Sequence, residues 1–132
     1  MTELKNLFKV ENYINEALVI AQPDTPVTEL YQMMQKNRVR HLPIVSEGKA
    51  VGVISDRDVK FVSYSNTLMG MTAEQVMTAD PYTVDTNCSL EEIISTMNNK
   101  KINSTLIENE EGKVVGIFTT SDALNLLATH IK

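Results

Sequence analysis

Two short segments of the sequence place a hydroxyl and a carboxylate three residues apart, directly after an apolar run. In VGVISDRDV (51–59) these are Ser55 and Asp58, and in VVGIFTTSDA (114–123) they are Thr119 and Asp122. An ionised carboxylate has two acceptor oxygens, which match the two neighbouring hydroxyls of a ribose. The exposed amides at a helix start favour an anion such as a phosphate. Each segment therefore has the chemistry to bind a sugar phosphate.

The same pattern also suits a purely structural role. Ser-x-x-Asp and Thr-x-x-Asp are typical of a helix start, where the hydroxyl caps the first turn and an acid in that turn is favourable. Duplication of a segment also duplicates its capping residues. The repetition of the pattern therefore does not distinguish helix capping from ligand binding. The spacing alone leaves ligand binding and helix capping both open.

The two segments belong to an internal repeat of about half the chain. One offset relates Gly52 to Gly116 and Asp58 to Asp122, and an offset shorter by one residue relates Met34 to Met97. Each copy predicts the order strand, helix, strand, strand, helix. The predicted elements are 17–21, 26–37, 41–45, 50–55 and about 56–65 in the first copy, and 81–85, 90–100, 104–108, 114–119 and 120–130 in the second.

Helix signals and apolar stripes support these boundaries. Pro26 suits the first position of a helix, and Ser89 with Glu92 forms a capping-box pattern. Apolar residues at helical spacing predict one core stripe in each copy. They are Val27, Leu30, Met33 and Met34 in the first, and Leu90, Ile93, Ile94 and Met97 in the second.

These elements predict an α/β fold of the α+β type. Two β-α-β-β-α repeats would pack sheet to sheet with pseudo-twofold symmetry and clefts between them, because a unit of this size is marginal alone. We divide the chain into 1–65, the first repeat with the N-terminal segment, and 66–132, a linker and the second repeat. The polar, glycine-containing stretch 63–75 reads as the linker.

Composition excludes several classes of function. The 132 residues carry a net charge of −5, so we expect no nucleic-acid groove. No apolar run is long enough to span a bilayer, and we find no secretory signal. Cys88 is the only cysteine, which predicts a reducing, cytoplasmic location. The two histidines, His41 and His130, lack the spacing of metal ligands, so we predict no metal site.

At this level of detail the sequence resembles a tandem pair of CBS domains, also called a Bateman module. The resemblance rests on the repeated element order, on RVRHLPIV (38–45), and on the endings VGVISDRDV and VGIFTTSDAL, and it covers roughly residues 10 to 130. It implies regulatory binding of adenosine-containing ligands such as AMP, ADP, ATP or S-adenosylmethionine, without catalysis or a catalytic cofactor. It also implies a homodimeric disk that an unknown effector protein reads. We expect a stand-alone module.

The resemblance also assigns residues to two clefts, each drawn from both repeats. It implies that one cleft uses Ser55, Arg57 and Asp58, with Arg40 and His41 near the phosphates and Asp80, Tyr82, Ile102 and Asn103 around the adenine. It implies that the other uses Thr119, Ser121 and Asp122, with Asn103 and Ser104 on the phosphate side and Ala17, Val19, Val39 and Arg40 around the adenine.

The two clefts differ in charge. The first gathers arginines at positions 40 and 57, whose planar guanidinium suits phosphate, whereas the second has Asn103 and Ser121 there. We therefore predict that the Ser55/Asp58 cleft is the better phosphate site. The second repeat also departs from the family pattern, with Leu106 in place of the proline at position 43.

Two other function classes remain open. One is a non-catalytic dimerising interaction scaffold whose ligand clefts are vestigial, which the departures in the second repeat favour. The other is an enzyme, for which Asp56 and Asp58 near Arg57 and His41 are the only candidates, and they form no known catalytic grouping. A pH-sensing His41 and an acidic Cys88 thiol at a helix start are further hypotheses.

Overall fold

The structure is a computed structural model that describes residues 9–15, 17–64 and 70–131. The chain groups into two compact units. The first unit is Val19–Pro81, and the second unit joins the described residues before Val19 to those from Tyr82 onward. The division at 65/66 made from the sequence follows the repeat along the chain, whereas the spatial grouping puts the N-terminal segment with the second copy.

The first unit contains a three-stranded sheet covered by helices. Strands β1 and β2 form an antiparallel hairpin, and the short β3 pairs antiparallel with β2. Its elements are α1 (Val27–Asn37), β1 (His41–Ser46), β2 (Lys49–Ser55), α2 (Asp56–Tyr64), α3 (Ala73–Val76) and β3 (Thr78–Ala79).

The second unit repeats this plan with a different third strand. Strand β5 pairs antiparallel with β6 and parallel with β4. Its elements are a 3-10 helix (Val10–Tyr13), β4 (Thr83–Asp85), α4 (Leu90–Lys100), β5 (Ser104–Glu108), β6 (Val114–Thr119) and α5 (Thr120–His130). The predicted α+β class with a duplicated unit is confirmed. No helix in the described ranges is long and apolar enough to cross a membrane.

The predicted apolar stripes form the core of each unit. Val27 and Leu30 on α1 and Leu90 and Ile93 on α4 are fully buried, and each stripe continues to a buried methionine. Strand residues complete each core because alternate side chains of a strand point to the helix-covered face. The buried sets are Ala21, Leu42, Ile44, Ile54, Val59 and Ala73 in the first unit, and Val10, Ile107, Phe118 and Leu126 in the second.

Several local predictions need correction. The strand predicted at 17–21 is reduced to a bridge between Ala21 and Ile44, in which the Ala21 amide donates to the Pro43 carbonyl over 3.0 Å. Pro26 is the N-cap of α1 rather than its first residue, because its ψ of 142° is extended. The predicted linker, of which residues 65–69 lie outside the described ranges, contains the start of a helix, since α3 begins after a capping box at Thr72.

Two glycines admit a distant segment of chain against one strand of each sheet, β2 in the first unit and β6 in the second. A β-carbon on Gly116 would overlap the Tyr13 carbonyl oxygen, and Ile14 forms an antiparallel bridge with this glycine. In the first unit, Gly52 pairs with Ala79 in the same way. In each copy, therefore, the segment preceding one repeat completes the sheet of the other.

Candidate functional site

The first predicted site residue pair closes a hydrogen-bonded ring at the start of α2. The Ser55 amide donates to Oδ2 of Asp58 over 2.9 Å, and the Asp58 amide donates to Oγ of Ser55 over 3.1 Å. Both residues are half-buried. Since α2 begins at Asp56, Asp58 lies in the first helical turn, where its negative charge is favourable.

The second pair forms the same ring at the start of α5. The Thr119 amide donates to Oδ2 of Asp122 over 2.8 Å, and the Asp122 amide donates to the Thr119 hydroxyl over 3.4 Å. The Thr119 hydroxyl also lies 3.0 Å from Oδ2 of Asp122. The helix-capping interpretation of both segments is therefore confirmed.

Capping uses only one of the two oxygens of each carboxylate. The carboxylates of Asp58 and Asp122 accept hydrogen bonds from described residues through Oδ2 alone. Within the described residues, Oδ1 of each accepts no hydrogen bond. A half-buried carboxylate with one oxygen fixed by a backbone amide and one available acceptor is rigid and suited to a hydroxyl donor. Capping and ligand binding are thus compatible at one aspartate.

Three residues with basic side chains adjoin the Ser55/Asp58 ring through the backbone of the first unit. The Asp56 amide donates to the Arg40 carbonyl over 2.8 Å, and His41 pairs with Ser55 across β1 and β2. Arg57 follows Asp56 in the first turn of α2 and is exposed. Among the described residues, neither arginine forms an ion pair.

The second unit brings together the equivalent residues without positive charge. The Thr120 amide donates to the Asn103 carbonyl over 3.1 Å, and the Thr120 hydroxyl lies 3.3 Å from Oδ1 of Asn103. Ser104 pairs with Thr119 across β5 and β6. Ser121 is exposed in the first turn of α5. Neutral amide and hydroxyl groups thus occupy the positions that Arg40 and Arg57 hold in the first unit.

A cavity of about 350 Å³ lies beside this second ring. Its lining mixes apolar side chains with polar groups from the end of α4 and the start of α5. The lining residues are Ile94, Met97, Asn98, Lys101, Ile102, Asn103, Thr120 and Ala123. Two predicted ligand residues, Ile102 and Asn103, therefore lie on a cavity within the second unit.

The other predicted residues are spread over both units. Val19 and Val39 pack against the core of the first unit, and Asp80 is exposed with a positive φ of 51°. In the second unit, Ala17 is exposed, and Tyr82 lies with its ring centroid 5.6 Å from the Lys100 ammonium nitrogen. The predicted clefts combine residues of both units, and that sharing stays a prediction.

The CBS domain profile matches residues 10–64 and 73–129, one match for each repeat. The chain belongs to the CBS-domain family. Each ring described above ends the last strand of one CBS domain and begins its last helix. The resemblance seen in the sequence is therefore confirmed.

Three relatives illustrate the similarity. The chain is 27% identical over 118 residues to inosine-5′-monophosphate dehydrogenase of Korarchaeum cryptofilum, a match that covers 89% of this chain. The CBS domain pair of protein MJ0100, solved with 5′-methylthioadenosine and S-adenosyl-L-methionine, is 25% identical with a TM-score of 0.81, covering 92% of this chain and 96% of that one. An uncharacterized conserved protein from Pyrococcus horikoshii is 31% identical with a TM-score of 0.76, covering 95% and 94%. The chain spans 24% of the dehydrogenase, about a quarter of its length.

Tyr13 is a residue near the second CBS site that the sequence did not single out. Its ring stacks on Phe118, with centroids 4.8 Å apart and an interplanar angle of 14°. Burial raises the pKa of the Tyr13 phenol, and the charge of Asp122 raises that pKa further. The repeat offset could have identified Tyr13 from the sequence. It aligns Tyr13 with Met77, and Met77 lies against Gly52 as Tyr13 lies against the equivalent Gly116.

Cys88 behaves differently from the hypothesis of an acidic thiol. Burial, a hydrogen bond to Glu92 and the charges of Glu92 and Asp85 raise the pKa of the Cys88 thiol to about 11. The thiol donates to Oε2 of Glu92 over 3.3 Å. Ser89 caps α4 by accepting from the Glu92 amide, while the Glu92 side chain turns to Cys88, so the predicted capping box is only half formed.

Proposed function

We propose that this CBS-domain pair is a regulatory nucleotide-sensing module that binds adenosine-containing ligands, with AMP, ADP, ATP and S-adenosylmethionine as the candidates. The observation that carries the proposal is the ring at each strand-to-helix turn, in which the backbone fixes one carboxylate oxygen and leaves the other available. A ribose offers two adjacent hydroxyl donors to such an acceptor. The MJ0100 pair, solved with two adenosine derivatives, supports the ligand class.

The proposed roles divide along the ligand. Asp58 and Asp122 bind the ribose of their sites. Ser55 and Thr119 hold those carboxylates, and Arg40 with Arg57 binds phosphate at the first site, because guanidinium donates two parallel hydrogen bonds to phosphate oxygens. The remaining predicted residues, including His41, Asp80, Tyr82, Ile102, Val19 and Val39, line the adenine or phosphate positions.

We propose that the module acts by binding rather than by catalysis. A ligand that prefers one arrangement of the protein shifts the population toward it, and only as far as its affinities differ between states. An effector protein would then recognise that arrangement. The aspartates of the rings accept hydrogen bonds from backbone amides, which suits holding a ligand more than transferring a proton. The lone Cys88 supports a cytoplasmic setting.

We further propose a homodimer. Leu124, Leu127 and Ile131 are exposed by 60%, 55% and 76%, and their spacing puts them on one side of α5 and its end. A second copy covering these side chains would remove their apolar surface from water. Measuring the molar mass by light scattering after size exclusion, for the wild type and Leu127→Glu, tests this. A wild-type monomer would contradict it.

A second candidate function is the dimerising scaffold with vestigial clefts. Two observations favour it: both aspartates already serve as helix caps, and α5 carries the exposed apolar residues named above. The two candidates differ in one measurable property. A scaffold keeps the same thermal stability at any nucleotide concentration, whereas a sensor gains stability in proportion to the logarithm of ligand concentration above Kd.

Calorimetric titration with AMP, ADP, ATP and S-adenosylmethionine tests the sensing proposal. The informative variant is Asp58→Asn, because the asparagine carbonyl can still accept from the Ser55 amide while its NH₂ group replaces the acceptor for ribose. The matched control is Ser89→Ala, which removes a capping hydroxyl from α4, outside both rings. Heat with the wild type that falls in Asp58→Asn and persists in Ser89→Ala supports the proposal. No heat with any of the four ligands would reject it.

A further inference from the structure

We propose that the two CBS sites take different ligands: a phosphorylated adenosine nucleotide at Asp58, and at Asp122 an adenosine derivative that has no phosphate and is neutral or positively charged at its 5′ position. This inference rests on the proposed function, because it assumes that both aspartates bind ribose. It goes beyond the proposed function by assigning a chemical class of ligand to each site.

Charge at the first site favours phosphate. Lys60 lies 3.8 Å from Asp56 and compensates that carboxylate. The two positive charges of Arg40 and Arg57 then exceed the single negative charge of Asp58. No described residue forms an ion pair with either arginine. The amides of the first turn of α2 add a partial positive charge in the same place. A phosphate there gains charge-assisted hydrogen bonds without first displacing an acidic partner.

Charge at the second site disfavours phosphate. Asp122 is the acid of the first turn of α5, and Asn103 and Ser121 replace the two arginines. The Asn103 side chain is also engaged, since its Oδ1 lies 3.3 Å from the Thr120 hydroxyl. Lys101 lines the neighbouring cavity at the end of α4, where its backbone is left-handed with φ 57°. It corresponds to Arg38 of the first repeat rather than to either phosphate-facing arginine.

The two sites also differ in the residue that packs against the last strand of each repeat. Tyr13 stacks on Phe118, which immediately precedes Thr119, whereas the first site has Met77 at the corresponding position. The Asp122 carboxylate has no arginine equivalent to Arg40 or Arg57 beside it, so it attracts a positive centre such as a sulfonium and repels a phosphate. A methylthio group is neutral, so the Asp122 carboxylate does not repel it. Both a thioether and a sulfonium adenosine derivative therefore fit the Asp122 site.

Single-site variants separate the two assignments. Asp122→Asn retains the first site, and Asp58→Asn retains the second, and each asparagine can keep its cap. Each variant is titrated with AMP and with 5′-methylthioadenosine. We expect Asp122→Asn to bind AMP about tenfold or more tightly than 5′-methylthioadenosine, and Asp58→Asn to show the opposite order, because a charge-assisted contact is worth at least about a factor of ten.

Two controls locate the cause of the preference. Adding Arg40→Ala and Arg57→Ala to Asp122→Asn should remove its preference for AMP. Adding Lys101→Ala to Asp58→Asn should leave its preference unchanged, and a loss of AMP binding there would contradict the assignment of the second site. If both single-site variants prefer the same ligand by the same factor, the division is wrong while the proposed function stands. If neither variant nor the wild type binds either compound, the proposed function fails as well.

Discussion

The contact between the N-terminal segment and β6 can be tested by one added methyl group. In Gly116→Ala the new β-carbon would overlap the Tyr13 carbonyl oxygen, and it would lie 3.1 Å from the Tyr13 carbonyl carbon and 3.2 Å from the Cα of Ile14. All three neighbours are backbone atoms, so no side chain can rotate away. The segment must shift as a whole or leave the strand.

The structure sets the size of the effect. Overpacking against rigid neighbours costs about 1–3 kcal/mol. A shift also weakens the hydrogen bond from the Asn15 amide to the Val115 carbonyl, now 2.9 Å, which is worth about 1 kcal/mol. Loss of the Tyr13–Phe118 stacking would add about 0.5–1.5 kcal/mol. Because relaxation recovers part of this, we expect Gly116→Ala to lower the free energy of unfolding by about 2–3 kcal/mol.

Gly52→Ala is the matched control. Its β-carbon would overlap the Sδ of Met77, the end of a flexible side chain, and would lie 3.0 Å from the Thr78 carbonyl oxygen. Since Met77 can adopt another rotamer, we expect a loss of about 1 kcal/mol. The assay is urea unfolding followed by far-UV circular dichroism, with hydrogen exchange of the Asn15 amide as a local readout. Equal costs for the two variants, or unchanged exchange at Asn15 in Gly116→Ala, would show that the backbone of the N-terminal segment does not limit the space at Gly116.

Three further predictions concern single side chains. Thr105 is fully buried, and within the described residues its hydroxyl has no hydrogen-bond partner, so Thr105→Val should raise the free energy of unfolding by about 1 kcal/mol in urea melts; a loss would contradict this. Ser89→Ala removes the N-cap of α4 and should cost about 1 kcal/mol in the same assay, and no change would contradict the cap. The Cys88 thiol, with its pKa raised to about 11, should react with iodoacetamide in the native protein with a pH midpoint near that value, and Glu92→Gln should lower the midpoint. Because the raised pKa stabilises the neutral thiol in the folded state, the stabilising contribution of Cys88 is present below its ordinary pKa of 9.0 and is lost as the pH rises through about 11. A midpoint near 9.0 in the native protein would contradict both statements.

Much of the fold follows from local patterns in the sequence. The strands 104–108 and 114–119 and the helix 90–100 were predicted with the bounds that the structure has, because alternation, helical spacing and the Ser89 cap all agree there. Ile44 illustrates the limit. Its bridge to Ala21 is all that remains of the strand predicted at 17–21, since isolated apolar runs do not reveal how many residues will find a partner.

The candidate site was predictable in its residues but not in its detail. The Ser/Thr-x-x-Asp spacing indicated capping and ligand binding as alternatives, and only atomic geometry reveals that one carboxylate oxygen serves each cap while the other has no partner among the described residues. Tyr13 was missed because its position depends on pairing between Ile14 and Gly116, residues far apart in the sequence. Long-range pairing of this kind leaves no local signature.

The Cys88 hypothesis failed for a related reason. A helix start lowers a thiol pKa through the dipole, but the charges of Glu92 and Asp85 and the burial of the sulfur act in the opposite direction. The sequence contains both acids, yet the distance of 3.3 Å from the sulfur to Glu92 depends on which way that side chain turns. The rotamer of Glu92 therefore determines which of these opposing effects on the thiol pKa is larger.

Ligand stoichiometry tests most directly whether the acceptor oxygen of each ring binds a ribose. The experiment is calorimetric titration of adenosine into the wild type, Asp58→Asn, Asp122→Asn and the double variant, with circular dichroism as the check on folding. We expect two adenosine molecules per chain for the wild type, one for each single variant and none for the folded double variant. Two molecules bound by the double variant with wild-type affinity would contradict this expectation.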